Sequence, residues 1–153
     1  ADPVAQPIAI DDVEAEIRQQ YCGYRVLVVD DDEINREVAQ IQLEAVDLVV
    51  DTAKDGAEAI AMAHQRVYAA IFMDMQMPKV NGLEATKGIR EIPQYRDVPI
   101  IAMTANAFAE DRARCVEAGM NDFLTKPFNP ATLFTTLLRS LSRHDVSFMP
   151  KGR

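Results

Sequence analysis

Residues 26–37 read Val-Leu-Val-Val-Asp-Asp-Asp-Glu-Ile-Asn-Arg-Glu, and this stretch decides the fold. Its first four residues form a continuous apolar, largely β-branched run, the pattern of a strand buried on both faces. After the aspartates, Ile34, Val38, Ile41 and Ala45 recur at helical spacing. A doubly buried strand passing at once into a helix is the opening of a βαβ unit, and such units build parallel sheets covered by helices on both sides.

Outward from this stretch the alternation repeats. Leu48-Val49-Val50 makes a second strand, and Asp55 with Glu58 three residues on forms a capping box for the next helix. Ala70-Ile71-Phe72-Met73 is the third strand, followed by a second capping pattern at Asn81 and Glu84 and a helix to about Ile92. Ile100-Ile101-Ala102-Met103 is the fourth strand, with Pro99 at its mouth, where a missing N–H is tolerated. A helix from about Phe108 ends at Ala118, with Gly119 as a left-handed terminator. Asp122-Phe123-Leu124 is a short fifth strand. Asn129 caps the last helix, Pro130 takes its first position, and Leu133, Leu137, Leu138 and Leu141 form its apolar stripe.

The expected architecture is therefore α/β: (βα)5, a doubly wound parallel five-stranded sheet of flavodoxin-like type. Right-handed crossovers leave few topologies, and the order 2-1-3-4-5 is taken from known folds of this kind rather than derived from spacing. Residues 25–142 hold the domain. Residues 1–24 read as a linker with a helical stretch from Asp11 to Tyr21, and residues 143–153 as a polar C-terminal tail.

Composition narrows the function. The chain has 153 residues and carries 16 Lys+Arg against 24 Asp+Glu, a net charge of -8. That balance opposes binding to nucleic acid or to an anionic membrane surface, and suits a divalent cation. Cys22 and Cys115 stand apart without a CxxC partner and read as reduced thiols of a cytoplasmic protein. No stretch approaches 18 apolar residues, and no secretory signal is present. The chain opens on Ala1, which reads as a piece of something longer, whose parent is free to be membrane-anchored.

Parallel strands all end at one edge, and ligands bind there, at the switch point between the first and third strands. The residues ending the strands form a single list: Asp30-Asp31, Asp74, Thr104 and, just past the fifth strand, Lys126. Three crowded carboxylates repel one another, and a divalent cation relieves the repulsion. Oxygen ligands in a small site that keeps waters suit Mg²⁺, with Mn²⁺ as a substitute. Such an ion beside a lysine makes a phosphoryl site, and a carboxylate there is a competent nucleophile.

Four stretches carry a resemblance to a known family: VLVVDDDEINRE, IFMDMQMPKVNGLEAT, IIAMTANA and NDFLTKPF. Together they resemble the signature stretches of response-regulator receiver domains of two-component systems, over about residues 25–142. The wording around Asp74 and Thr104 is most similar to receivers of hybrid sensor histidine kinases. The resemblance implies Asp74 as phosphoacceptor from a histidine kinase or histidine phosphotransfer domain. It implies Asp31 and Asp74 as metal ligands, Asp30 acting through water, and the Gln76 backbone carbonyl as a further ligand. It implies Thr104 and Lys126 as switch residues, Phe123 as the aromatic that turns inward, and a cis bond between Lys126 and Pro127. It also implies a weak dimer through the fourth helix, fifth strand and fifth helix of the (βα)5 unit. The sequence departs from the family at Val80-Asn81-Gly82, where Met-Asp-Gly is common, and at Asp47, where many relatives carry Gly.

Blander readings suit other residues. Asp32 serves as a helix cap. Met73 faces the core, while Met75 and Met77 line the following loop rather than a soft-metal site. His64 and His144 are surface residues, and Cys115 is a small buried hydrophobe. The competing function is a phosphatase of haloacid-dehalogenase type, with Asp30 as nucleophile and Asp32, Thr104 and Lys126 in support. That reading leaves Asp74 unexplained. There is no GxxxxGK[ST] or GxGxxG for a nucleotide.

Overall fold

The computed structural model describes residues 10–75, 82–104, 109–126 and 129–143. Helix α1 spans Ile10–Tyr21. Then follow β1 Arg25–Val29, α2 Glu33–Glu44, β2 Val49–Ala53, α3 Gly56–Gln65, β3 Ala70–Asp74 and α4 Gly82–Arg90. A 3₁₀ turn at Pro93–Tyr95, β4 Ile100–Thr104, α5 Ala109–Ala118, β5 Asp122–Thr125 and α6 Pro130–Arg143 complete the order. The strands form one parallel sheet in the order β2-β1-β3-β4-β5. The topology expected from the sequence is the one observed.

The continuous apolar runs have a direct cause. Along β1, Val26 and Val28 join one core cluster while Leu27 and Val29 join the other. Along β3, Ala70 and Phe72 face the first cluster, and Ile71 and Met73 the second. The period-2 alternation of a strand thus sends neighbouring residues to opposite faces, and both faces are covered. Residues of α1, α2 and α6 close the first face; residues of α3, α4 and α5 close the second.

Local signals act where the sequence places them. Asp32 caps α2, its carboxylate accepting from the Ile34 N–H at 2.9 Å. Asp55 accepts from the Glu58 N–H at 2.8 Å, while the Glu58 carboxylate reaches back to the Lys54 N–H rather than to that of Asp55. Asn129 accepts from the Thr132 N–H at 2.8 Å, with Pro130 opening α6. Gly119 (φ 114°) ends α5, and Asp47 (φ 68°) takes the left-handed turn between α2 and β2. Asn81 and His144 lie outside the described residues; His64 is exposed on α3.

Two features go beyond what spacing indicates. The helical repeat Ile34, Val38, Ile41 faces solvent and not the core. These side chains are 71, 41 and 65% exposed, while Ala39 and Leu43 are buried. The helical stretch expected near the N-terminus forms α1, and it is packed. Val13, Ile17 and Tyr21 are buried in the same cluster as Leu137 and Leu141 of α6, and the Arg18 guanidinium donates to the Ala45 carbonyl past the end of α2.

Candidate functional site

The ends of β1, β3, β4 and β5 meet at one edge, beside the gap where β2 and β3 diverge on either side of β1. Backbone bonds extend the sheet past its strands. The Met75 N–H donates to the Met103 carbonyl at 3.0 Å, and the Lys126 N–H to the Thr104 carbonyl at 2.8 Å. The residues after β3 and β5 are thereby aligned by β4. After β1 the chain turns sharply: the Asp32 N–H donates to the Asp30 carboxylate at 2.9 Å, and the Arg36 guanidinium to the Asp30 carbonyl at 2.7 Å.

Asp30, Asp31 and Asp74 each offer a carboxylate oxygen, all within 4.8 Å of one another. Asp30 and Asp74 are buried, and Asp31 is exposed. The Lys126 ammonium lies 3.1 Å from an Asp30 oxygen and 3.2 Å from an Asp74 oxygen. Partial burial disfavours the Lys126 charge. The charges of Asp74 and Asp30 and their hydrogen bonds outweigh that effect, so the group is held above the ordinary lysine range. A cavity of about 270 Å³ opens over these groups, lined also by Thr104, Asp32, Asn35 and Met75.

The site residues named from sequence that fall among the described residues are brought together, with one exception. Phe123 lies one strand away, half-buried against the cluster shared with α3, α4 and α5, and lines a separate groove between β5 and α6 with Thr125, Thr136 and Arg139. It pairs with Ala102, and Thr104 with Thr125. Phe123 and Thr104 therefore share one face of adjoining strands in diagonal positions. Gln76 and Pro127 lie outside the described residues. Sequence reading missed Asn35 and Arg36. Both sit on the first turn of α2, directly after the acidic strand end, and that position was the available signal.

The donor set fits a hard divalent cation. Among the described residues it is all oxygen and net negative, with one open side where water can complete the coordination. A doubly wound domain with such an edge belongs to the class that handles phosphoryl groups beside a divalent ion. The chain is, specifically, a member of the response regulator receiver domain family, whose sequence model matches residues 26–138. It is 42% identical over 115 residues to hybrid signal transduction histidine kinase L of Dictyostelium discoideum, covering 71% of this chain and 7% of that one. A solved structure of the receiver domain of sensor histidine kinase PA1611 from Pseudomonas aeruginosa PAO1, described with a magnesium ion in its active-site cleft, superposes with a TM-score of 0.74. Its identity is 40%, over 79% of this chain and 99% of that one. Chemotaxis protein CheY4 of Vibrio cholerae superposes with a TM-score of 0.75 at 36% identity, over 76% of this chain and 98% of that one. The chain is thus a receiver domain of two-component systems, and it spans a small fraction of the curated kinase it matches. The phosphatase alternative finds no support.

Proposed function

We propose that Asp74 is the phosphoacceptor of this receiver, charged by a phosphohistidine on a histidine kinase or a histidine phosphotransfer domain. The observation that carries the reading is the contact of the Lys126 ammonium with both buried carboxylates, Asp30 and Asp74, beside the more exposed Asp31. An Asp74 oxygen attacks phosphorus in line. The P–O bond forms as the P–N bond breaks, and its electron pair returns to the donor imidazole. Lys126 exchanges its contact with the Asp74 oxygen for one with a phosphoryl oxygen, and the Thr104 hydroxyl donates to another. Asp30, Asp31, Asp74 and the Gln76 carbonyl would hold Mg²⁺ or Mn²⁺, Asp30 through water. The ion, when bound, supplies charge that offsets the developing negative charge on the phosphoryl oxygens.

Before transfer, three carboxylates, one ammonium and one divalent ion balance to zero. An aspartyl-phosphate, at about two negative charges, leaves a net charge near minus one. Thr104 is drawn toward it, and Phe123 on the neighbouring strand turns inward beside it, which alters the face of α5, β5 and α6. That face supports weak dimerisation, and Val116 is an exposed apolar residue on it. The domain is a cytoplasmic phosphorylation switch with self-limited chemistry rather than an enzyme acting on external substrates, and a hybrid histidine kinase, free to be membrane-anchored, is the kind of parent chain that its relatives suggest. No helix among the described residues is long and apolar enough to cross a membrane. Residues 25–142 form the receiver, with α1 packed upon it and residues 143–153 as a tail. No nucleic-acid contact is assigned, in keeping with the net charge of -8. Incubation with acetyl phosphate and Mg²⁺ should add one phosphoryl mass, and chelation should prevent it. Labelling that persists in chelator would contradict the reading.

A further inference from the structure

The first residue of α4 touches the phosphoacceptor backbone more closely than any side chain would allow. A Cβ built on Gly82 falls 2.4 Å from the Asp74 carbonyl oxygen, 2.9 Å from the Met75 Cα and 3.1 Å from the Asp74 carbonyl carbon. All three atoms are backbone, so no rotamer change relieves the contact. The Gly82 N–H also donates to the Met75 carbonyl at 3.3 Å, while the Met75 N–H is held from the other side by the Met103 carbonyl at 3.0 Å. Met75 is therefore held between β4 and the start of α4, with the bare Gly82 backbone against the Asp74 carbonyl. We propose that Gly82 is a positioning residue for phosphorylation: the bare backbone at the start of α4 sets where the Asp74 carboxylate stands relative to Asp30, Asp31 and Lys126.

The physical consequence is one of distance. Any side chain at this position requires the Asp74 carbonyl or α4 to yield by about 1 Å before an ordinary contact of 3.4 Å is reached. A carboxylate that must meet a cation within about 0.2 Å and an ammonium at hydrogen-bond range does not absorb such a shift. A second glycine on the same helix supplies the control. A Cβ on Gly88 meets the Ile60 side chain alone, Cδ1 at 2.8 Å and Cγ1 at 3.4 Å, the far end of a flexible side chain. Gly88→Ala therefore tests the effect of crowding α4 without moving Asp74.

This inference rests on Asp74 being the phosphoacceptor, and the test separates the two. The parent chain, Gly82→Ala and Gly88→Ala are compared for thermal unfolding, Mg²⁺ affinity by calorimetry, and the rate of phosphate incorporation from acetyl phosphate at saturating Mg²⁺. The expected result is a cooperatively folded Gly82→Ala whose Mg²⁺ affinity is weakened and whose rate at saturating Mg²⁺ falls by roughly 10- to 100-fold. Gly88→Ala should keep both within about twofold, whatever its melting temperature. Equal rates for Gly82→Ala and the parent overturn the proposal, as does an equal loss in Gly88→Ala. Failure of Gly82→Ala to fold also overturns it, because the glycine is then needed for folding rather than for placement. A parent chain that does not label on Asp74 fails the functional reading itself.

Discussion

At the scale of single residues, the site is a set of charges held close together. Lys126 stands between Asp30 and Asp74 and competes with any cation for the same oxygens. Lys126→Met should therefore tighten Mg²⁺ binding, by on the order of tenfold, while slowing phosphate incorporation because a phosphoryl oxygen loses its partner. Calorimetry and mass spectrometry of the same variant read both effects. Asp122 gives a separate, structural case. Burial raises the pKa of its carboxyl, but paired bonds from Arg139 at 2.8 and 2.9 Å, the Phe123 N–H and the Ser140 hydroxyl outweigh burial and hold it below the ordinary range. A depressed folded pKa contributes stability above the unfolded value of about 3.9, which is lost as pH falls through the folded value. Denaturant titrations from pH 6 downward should show this loss, and Asp122→Asn should remove that part of the slope.

At the scale of elements, α1 and α2 show where sequence patterns mislead. The order of strands and helices was legible because β1, β3 and β4 are largely apolar runs and α2, α3 and α6 carry side-chain caps. The core face of α2 was not: Ile34, Val38 and Ile41 have the right spacing, yet they point to solvent beside the site, and small Ala39 and Leu43 pack inward. Periodicity identifies a helix but does not say which of two apolar stripes meets the core. The exposed stripe begins one turn from Asp30, within reach of a protein that docks over the site. Ile34→Ser should thus slow transfer from a phosphorylated histidine phosphotransfer domain, leave acetyl phosphate labelling unchanged, and alter stability by less than about 0.5 kcal/mol. For α1, a short charged stretch read as a tail, burial of Ile17 depends on α6, over a hundred residues away in sequence, and no local signal reveals it. Ile17→Ala should cost about 2–5 kcal/mol in denaturant unfolding.

At the scale of the whole molecule, the sheet joins strand ends far apart in sequence into one acidic edge, and this was legible from topology alone. Once strands are parallel and doubly wound, the residues ending them must share an edge. Asp30, Asp74, Thr104 and Lys126 follow from that rule. Gly82 does not follow from it, because its role depends on a backbone approach that no residue pattern encodes. Part of the net charge of -8 is now placed at this edge, in the carboxylates of Asp30, Asp31 and Asp74. The most direct test is peptide mapping after brief incubation with acetyl phosphate and Mg²⁺, on the parent chain and on Asp74→Asn and Asp30→Asn. The expected result is one phosphoryl group on the peptide containing Asp74, a weaker signal at the same place in Asp30→Asn, and none in Asp74→Asn. A phosphoryl group on the peptide containing Asp30, or undiminished labelling of Asp74→Asn, would contradict it.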